Sequence, residues 1–416
     1  MLNSKSKGNT ILHYHICSPF MSQGGYLENI MPKYYNTFFD NVVLLATNKE
    51  LMRDGSINYV EPKISYDTNG VEVIRLDISK FSRFKKTSAL DGLFIYKEIY
   101  QELKRIRPDF MVVGDVGSLC NFPIAKYVKK INPDCKIVCL SHATVENVDR
   151  HNHKLRRRIW DLIITMQNMY MSRYYRKVYG ILPNAVDYLV KRFGIPVEKT
   201  DLLPLGYDDE LIHFDKKNEI RKQVRSKYGI DEDDYLVVHG GKLSSGKKTK
   251  EFVKSLSNLN DNVSAIIFGD FGTHIYGEGI TDEYELLVKD EARKDERHRI
   301  VFSGALNQEE IYNLYLAADL AVFPGAPSCL RQEAVGAGLP IIMYVNPGDE
   351  GININIDNNA IYLYEGWNTD DLAQAIRTIY EDNSYHERAY RLANNQYISY
   401  SYRKTAERII KENYIF

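Results

Sequence analysis

Two turns in the second half of the chain hold the residue types best suited to bind a charged ligand. Residues 240–248 read Gly-Gly-Lys-Leu-Ser-Ser-Gly-Lys-Lys and follow the apolar run Tyr235–Val238. Residues 327–340 read Pro-Ser-Cys-Leu-Arg-Gln-Glu-Ala-Val-Gly-Ala-Gly-Leu-Pro and follow the apolar run Leu320–Phe323. Each pattern predicts a turn from a strand into a helix, where free backbone N–H groups and the helix dipole favour an anion. We therefore expect the two turns to hold a ligand that carries phosphate.

The first turn contributes positive charge. Lys242 and Lys247 follow Gly241, and they would neutralise the diphosphate of a nucleotide donor and stabilise the leaving group as its charge builds. Solvated loops also carry lysines, but the second turn favours the phosphate interpretation. The turn is not a P-loop, because Lys248 stands where that motif needs Ser or Thr.

The second turn contributes a helix start and a carboxylate. Ser328 is a good N-cap, and the amides of Cys329 and Leu330 would then be offered to a phosphate, although a plain cap would look the same. Glu333 stands one turn further along, among small residues that let the helix approach its neighbours closely. A carboxylate there is poorly explained as surface charge, and accepting hydrogen bonds from ribose hydroxyl groups is a natural use of it.

The first half of the chain offers weaker candidates. His142 follows the strand-like run Ile137–Leu140, where it could donate to a sugar hydroxyl or carry a proton, or be an ordinary loop histidine. Gly24 and Gly25 follow the first strand, either as a close-approach loop beside phosphate or sugar or as a simple turn. His13 and His15 alternate along a strand, which favours a structural role.

Composition narrows the class of protein. A chain of 416 residues with 44% hydrophobic and 26% charged residues is typical of a globular protein of two or more domains. The formal charge of −1 gives no general attraction to nucleic acid. The five scattered cysteines show no metal-type spacing, Cys135 and Cys139 read as buried thiols, and no secretory leader or membrane span is apparent. We expect a cytoplasmic protein that needs neither a metal nor another cofactor.

Short β-rich runs alternate with amphipathic segments along the whole chain. This alternation predicts an α/β fold with two successive doubly wound, Rossmann-like domains. We place the first domain at residues 1–205, the second at 206–398 and a closing helix, packed back on the first domain, at 399–416. Strands are predicted at Ile11–Cys17, Val42–Ala46, Val71–Leu76, Phe110–Val113, Ile137–Leu140, Val178–Leu182, Tyr235–His239, Ala265–Phe268, Ile300–Ser303, Leu320–Phe323, Ile341–Tyr344 and Ala360–Leu363. The residues singled out above would then lie at the carboxyl ends of strands, where such folds bind ligands.

Two basic stretches stand apart from these motifs. Residues 80–86 and 154–160 interleave Lys and Arg with Phe, Ile and Trp, and the second leads into Leu162-Ile163-Ile164 and several methionines. This composition suits the surface of an anionic bilayer, for instance at the inner face of the plasma membrane, and it equally suits a solvated helix whose apolar side is packed.

The chain resembles the GT-B-fold glycosyltransferases, and most of all glycosyltransferase family 4 (the glycosyl transferases group 1 class). The likeness is densest from Val237 to Val345. The Gly-Arg/Lys-Leu-x3-Lys turn of the family matches Gly241-Lys242-Leu243 with Lys247, and its Glu-Ala-x3-Gly-x-Pro helix matches residues 333–340. The resemblance implies two domains that face a central cleft. It also implies that Lys242 and Lys247 contact a donor diphosphate, Glu333 the ribose and His142 the donor sugar.

The resemblance further implies a retaining, metal-independent transfer from a UDP-, GDP- or ADP-sugar to a glycan or lipid-linked glycan, as in the synthesis of cell-surface polysaccharides. One departure stands out: Gly325 occupies the position of a second family glutamate, eight residues before Glu333. It motivates an alternative, a GT-B-like protein that binds without transferring. A nicotinamide-dependent dehydrogenase is disfavoured, because no Gly-x-Gly-x-x-Gly follows the first strand.

Overall fold

The protein divides into two compact units. The computed structural model describes residues 9–22, 24–52, 56–80, 91–143, 154–259, 262–271, 282–345, 354–395 and 398–415. The N-terminal unit comprises residues up to 52, 57–204 and 402–416, and the C-terminal unit comprises residues 205–401.

The N-terminal unit is built on a mostly parallel sheet. Its strands are β1 (Thr10–His15), β2 (Asn41–Thr47), β3 (Lys49–Leu51), β4 (Ile57–Tyr59), β5 (Ile64–Tyr66), β6 (Glu72–Leu76), β7 (Phe110–Val113), β8 (Lys136–Ser141), β9 (Tyr175–Gly180) and β10 (Thr200–Leu202). The sheet has the order β10-β9-β8-β7-β1-β2-β6-β5, and β3 forms a separate two-stranded sheet with β4. The edge strand β5 runs antiparallel to β6, and the other pairs of the sheet are parallel.

Helices accompany this sheet. They are α1 (Leu27–Tyr35), α2 (Asp91–Phe94), α3 (Tyr96–Ile106), α4 (Phe122–Lys130), α5 (Lys154–Met171) and α6 (Pro183–Lys191). The inner strands β1 and β7 are buried along their full length, which explains why their sequences read as continuous apolar runs.

The C-terminal unit holds a fully parallel sheet. Its strands are β11 (Tyr235–Gly240), β12 (Val263–Phe268), β13 (Ile300–Gly304), β14 (Leu320–Phe323), β15 (Ile341–Tyr344) and β16 (Ala360–Leu363). The sheet order is β13-β12-β11-β14-β15-β16. The order therefore reverses between β11 and β14, and the crevice outside the carboxyl ends of such strands is where doubly wound sheets bind ligands.

The helices of this unit follow their strands closely. They are α7 (Lys217–Tyr228), α8 (Thr249–Leu256), α9 (Asp282–Arg293), α10 (Gln308–Ala317), α11 (Leu330–Gly336), α12 (Thr369–Glu381) and α13 (Ser384–Asn394). The core between sheet and helices includes Val237, Phe252, Ile267, Val322 and Ile376, none of which is more than 1% exposed. Deletion of such side chains typically costs several kcal/mol, about 2–5 for a buried Leu or Ile cut to Ala.

The chain ends on α14 (Tyr402–Ile410), which belongs to the N-terminal unit. This helix packs against α1. The guanidinium of Arg408 lies 2.7 Å from the carboxylate of Asp201, and the ring of Tyr414 lies 4.8 Å from that of Phe39. Both contacts fasten the end of the chain to residues of the same unit.

The predicted α/β architecture is confirmed, and most strand bounds agree within one or two residues. One strand was placed wrongly: the prediction Val178–Leu182 is observed as Tyr175–Gly180. The exposed Arg176 breaks the apolar pattern at the true start of this strand. At its end, Leu182 belongs to the turn before Pro183, the first residue of α6, and proline favours that helix position.

Candidate functional site

The turn after β11 is shaped by glycines that let two backbone segments touch. Gly241 has a φ of +119° and Gly269 a φ of +111°, both in the region that favours glycine. A Cβ on Gly269 would collide with the carbonyl oxygen of Gly241. The amide of Gly241 donates to the carbonyl of Phe268 over 3.0 Å, so the ends of β11 and β12 are tied together.

The second turn lies against the first. A Cβ on Gly241 would be 3.3 Å from Cδ1 of Leu330 and 3.7 Å from Oγ of Ser328. The amide of Ala326 donates to the carbonyl of Gly246 over 2.8 Å. The structure thus brings together the two turns that the sequence separates by about eighty residues, at the switch point of the sheet.

The start of α11 agrees with Ser328 as the residue that precedes the helical segment. The bounds of the helix begin at Leu330, but Cys329 already has helical backbone angles and makes no side-chain cap hydrogen bond. The hydroxyl of Ser328 accepts a long hydrogen bond of 3.4 Å from the amide of Leu330.

Lys247 is the most constrained cation of the first turn. Its Nζ donates to the carbonyls of Ala326 over 2.9 Å and of Pro327 over 2.7 Å. Desolvation, helped by the nearby Arg331, lowers the pKa of Lys247 to about 8, even though part of its side chain still reaches solvent. A bound polyanion would reverse this penalty, because opposite charge favours the ammonium form.

Lys242 is more exposed than Lys247. Desolvation lowers the pKa of Lys242 as well, while Cys329 raises it. Both lysines and Cys329 therefore act on one another electrostatically, which places them around the same point of the turn.

Gly325 is enclosed by backbone. A Cβ there would collide with the carbonyl oxygen of Gly246 and lie 2.7 Å from the carbonyl carbon of Lys247. The guanidinium of Arg331 donates to the carbonyl of Gly325 over 2.8 Å. No side chain fits at this position while the two turns remain in contact, so the glycine is a requirement of the local structure.

Glu333 lies inside the C-terminal unit and is 1% exposed. Burial raises the pKa of its carboxyl to about 8, with the nearby Asp208 acting in the same direction and a hydrogen bond with Gln308 opposing both. Within the described part of the chain, Oε2 of Glu333 has no hydrogen-bond partner. A buried acceptor without a partner is costly, and a hydroxyl of a ligand would satisfy it.

Two buried residues that support the site were not predicted. Arg331 is 5% exposed and links α11 to the Gly325 carbonyl. His239 donates from Nδ1 to the Val322 carbonyl over 2.8 Å, and its Nε2 accepts from Oγ1 of Thr249 over 3.0 Å. Burial lowers the pKa of His239 to about 4, so the ring is neutral. The sequence signal that could have identified them is a polar residue in an apolar segment: His239 ends an apolar strand, and Arg331 lies in a helix with several small and apolar residues.

The other predicted polar group lies in the N-terminal unit. His142 directly follows β8 and is exposed. Desolvation lowers the pKa of His142, the carboxylates of Glu28 and Asp115 oppose this shift, and the imidazole of His15 adds to it. His15 itself makes a 2.9 Å hydrogen bond with Oγ of Ser18 and lies 3.8 Å from the Glu28 carboxylate. The carboxyl ends of β1, β7 and β8 therefore carry a cluster of histidines and carboxylates.

The predicted glycine loop of the N-terminal unit has one clear steric role. A Cβ on Gly24 would be 2.5 Å from the ring of Tyr26, the residue before α1. Gly25 stands between them in sequence. His13 is fully buried, its ring nitrogens have no partner among the described residues, and burial lowers its pKa to about 3, which agrees with a structural role.

Cys135 and Cys139 are buried, as predicted. Among the described residues, no group of three or more His, Cys, Asp or Glu is arranged to hold a metal ion. In the same part of the chain, the helices are too short or too polar to span a bilayer. The basic stretch at residues 80–86 lies outside the described residues except for Lys80.

Solved structures share this architecture over nearly the whole chain. Sucrose-phosphate synthase from Thermosynechococcus elongatus aligns over 97% of this chain and 98% of its own, with a TM-score of 0.67 and 14% identity. The Anabaena protein HepE, solved in complex with UDP and glucose, aligns over 97% and 99%, with a TM-score of 0.63 and 15% identity. These likenesses confirm the predicted GT-B fold.

Sequence comparison points to the C-terminal unit. Residues 220–397 match the family model of the glycosyl transferases group 1. An uncharacterised glycosyltransferase of Methanocaldococcus jannaschii is 24% identical over 200 residues, which are 47% of this chain and 48% of that protein. The chain thus spans about half the length of this curated relative.

Proposed function

We propose that this protein moves a sugar from a nucleoside diphosphate sugar to a hydroxyl of a glycan or lipid-linked glycan, because its residues 220–397 match the family model of the glycosyl transferases group 1. One observation carries the proposal. The Gly241–Lys247 turn and the start of α11 meet at the carboxyl ends of β11 and β14, with a desolvated ammonium and a buried, unsatisfied carboxylate on the two sides.

The two charged groups suit the two ends of a nucleoside diphosphate. The diphosphate would take Lys242 and Lys247, with the amides at the start of α11 as further donors. The ribose hydroxyl groups would donate to Glu333, whose Oε2 has no hydrogen-bond partner within the described ranges. A diphosphate would offset the desolvation of the two lysines, and a ribose hydroxyl would give the Glu333 oxygen a hydrogen-bond donor, so both contacts would contribute to binding.

The transfer itself needs little acid–base machinery from the protein. The bond between the sugar C1 and the phosphate oxygen breaks, the acceptor oxygen bonds to C1 on the same face, and the acceptor proton passes to the departing phosphate oxygen. This course retains the anomeric configuration. The two lysines stabilise the negative charge that develops on the diphosphate, which is the electrostatic contribution that a metal ion would otherwise make.

A protein that only binds the nucleotide sugar is the second candidate. The observation that favours it is Gly325, where the related enzymes carry a carboxylate facing the sugar or the acceptor. Because the backbone closes this position, the protein would have to hold the sugar hydroxyl groups with other residues, or not position them for transfer at all.

The class of acceptor is the most specific part of the proposal. A lipid-linked glycan at the cytoplasmic face of a membrane, within polysaccharide synthesis, agrees with the concentration of basic residues in and around α5, from Lys154 to Arg158. HepE was solved with UDP and glucose, which makes a UDP-sugar the first donor to test.

The test is a thermal-shift screen with UDP, GDP, ADP and their sugars, since a ligand that binds only the folded state raises the melting temperature. The donor that binds is then incubated with candidate acceptors, and the anomeric configuration of the product is read by NMR. Lys247→Ala should lose the shift, while Lys254→Ala, an exposed lysine on α8, should keep it. Binding without transfer or donor hydrolysis would favour the second candidate, and no shift with any nucleotide would refute both.

A further inference from the structure

The helix α5 presents an unusual set of exposed apolar side chains. Its apolar row consists of Ile159, Leu162, Ile163, Met166 and Met169, with exposures of 56%, 60%, 41%, 62% and 58%. These positions recur at helical spacing, so they lie along one face.

The opposite face of α5 is the one that packs on the N-terminal unit. Ile164 and Met171 on that face are 2% and 0% exposed. The amphipathic helix α12 has a single apolar face, which is wholly buried, with Leu372, Ile376 and Ile379 at most 1% exposed. In contrast, α5 has one apolar face inside and a second one in water. A continuous exposed patch of this kind marks a contact surface.

The two helices that carry the row and the adjoining lysines are rich in basic residues in their sequences. Helices α4 and α5 together contain seven basic residues and one acidic residue, Asp161. Four of the basic residues are Lys154, Arg156, Arg157 and Arg158, in the first two turns of α5. The whole chain has a formal charge of −1, so this surplus is local.

The apolar row leads into a basic and aromatic cavity. Tyr170 stands four positions after Met166 and therefore continues the row. An open cavity of about 510 Å³ next to it is lined by Tyr96, Phe122, Lys126, Lys129, Lys130 and Tyr170. Nζ of Lys129 donates to the hydroxyl of Tyr170 over 2.9 Å, which fixes a cation beside the end of the row. Tyrosine and lysine are side chains suited to the headgroup level of a bilayer.

We infer that the apolar row of α5, with the lysines of the adjoining cavity, docks the protein on an anionic membrane surface. The apolar side chains enter the acyl boundary and the basic residues contact lipid phosphates. The exposed lysines of the adjoining cavity, Lys126, Lys129 and Lys130, fit this occupant, whereas a protein partner or a second copy would need acidic groups to complement them. The role of this contact rests on the proposed function: membrane binding would bring the enzyme to a lipid-linked acceptor.

Vesicle sedimentation tests this inference. Purified protein is mixed at low salt with vesicles of phosphatidylcholine alone, or of phosphatidylcholine and phosphatidylglycerol at a ratio of roughly two to one. The protein should sediment with the anionic vesicles and much less with the neutral ones, and added salt should release it. Absence of sedimentation with anionic vesicles at low salt would overturn the inference.

Variants locate the surface. Leu162→Glu with Met166→Glu should reduce the bound fraction at least about tenfold, since two apolar groups are lost and negative charge is added. Lys129→Glu with Lys130→Glu should weaken binding to anionic vesicles only. The matched control is Leu286→Glu with Leu287→Glu on α9, an exposed apolar pair (55% and 44%) in the other unit, which should bind like wild type.

Three readouts keep the outcomes distinct. Cooperative thermal unfolding of each variant shows that it folds. An α5 variant that binds vesicles like wild type overturns the inference. So does a wild-type protein that forms a dimer and does not bind vesicles, if the α5 variant is a monomer. The nucleotide thermal shift is recorded in parallel, because its loss in wild type refutes the proposed function without affecting the vesicle result.

Discussion

The candidate residues of the C-terminal unit and those of the N-terminal unit are held in different ways. In the C-terminal unit, Gly241, Gly325 and Lys247 are fixed by backbone contacts between two turns, and the charged groups there are desolvated. In the N-terminal unit, His142 is exposed at the end of a strand, near Glu28 among other charged neighbours. The comparison teaches that the C-terminal turns are held in place by backbone contacts, whereas His142 stands at an exposed strand end, so we expect substitutions in the two units to have different effects.

Loss of the constrained lysine should have the largest effect. In the proposed function Lys247 stabilises the charge that develops on the leaving diphosphate, so we expect Lys247→Ala to lower turnover about 100- to 1000-fold. Steady-state kinetics with the donor found in the screen measures this. Lys254→Ala is the control, and a similar loss in both variants would show that the effect is one of general charge.

The closed position at Gly325 can be tested by adding a single methyl group. Gly325→Ala should destabilise the C-terminal unit by about 1–3 kcal/mol, as overpacking does, and weaken nucleotide binding because the turns separate. Thermal unfolding and nucleotide titration measure both effects. The matched control is Gly246→Ala, since a Cβ there has its nearest neighbours at 3.7 and 3.8 Å. An active, stable Gly325→Glu variant would contradict the argument.

Glu333→Gln should separate binding from stability. Above about pH 8, where the carboxyl of Glu333 is ionised, the neutral amide is a poorer acceptor for ribose hydroxyl groups, so nucleotide affinity should fall roughly tenfold. The folded pKa of Glu333, about 8, exceeds the ordinary value of 4.5, so the wild-type protein loses stability as the pH rises through this interval.

The Glu333→Gln variant has no carboxyl at this position and therefore should not lose stability as the pH rises. Its melting temperature without nucleotide should exceed that of wild type by an amount that grows from about pH 4.5 and is complete above about pH 8. Melting curves across this range measure it. An advantage that is independent of pH would indicate that the carboxyl does not titrate there.

Substitution of His142 should lower transfer without changing nucleotide affinity, unlike the substitution of Glu333. His142→Asn should lower transfer roughly tenfold, the cost of one hydrogen bond to a sugar hydroxyl, and leave nucleoside diphosphate affinity unchanged. Isothermal titration together with kinetics separates the two. Weaker diphosphate binding in this variant would mean that the two groups of residues do not have separate roles.

The smallest effect is a pH dependence of binding. The pKa of Lys247 is about 8 in the empty site, and a bound diphosphate should raise it, so binding takes up a proton near this pH. Affinity should fall as the pH rises above about 8, by at most about tenfold per unit. Titrations in two buffers of different ionisation enthalpy detect the uptake. They are repeated with Glu333→Gln, because Glu333 titrates in the same range.

The fold was readable because most strands are buried on both faces. Runs such as Leu320–Phe323 and Ile341–Tyr344 were located to the residue. The short strand β5 is largely exposed, so its sequence lacks the apolar run that predicts a strand. The helix α1 contains Pro32, which argues against a helix at the level of sequence. The shift of β9 has the same origin, because the charged Arg176 lies inside a strand.

The candidate site was predictable by residue type and less so by contact. Gly241, Lys247 and Glu333 stand in turns whose spacing is local, so their chemistry can be read directly. The hydrogen bonds from Lys247 to the carbonyls of Ala326 and Pro327 join residues about eighty positions apart, and no local sequence pattern shows such a contact.

The amino-acid sequence alone determined the class of fold, the order of its elements and the chemistry of the two turns, because those depend on apolar periodicity and on a few residues close together in the chain. Tertiary structure decided that Gly325 leaves no room for a side chain, that Glu333 is buried with an unsatisfied oxygen, and that α5 keeps an apolar face in water. Each of these depends on which distant segments pack against the residue, and packing is a property of the folded chain.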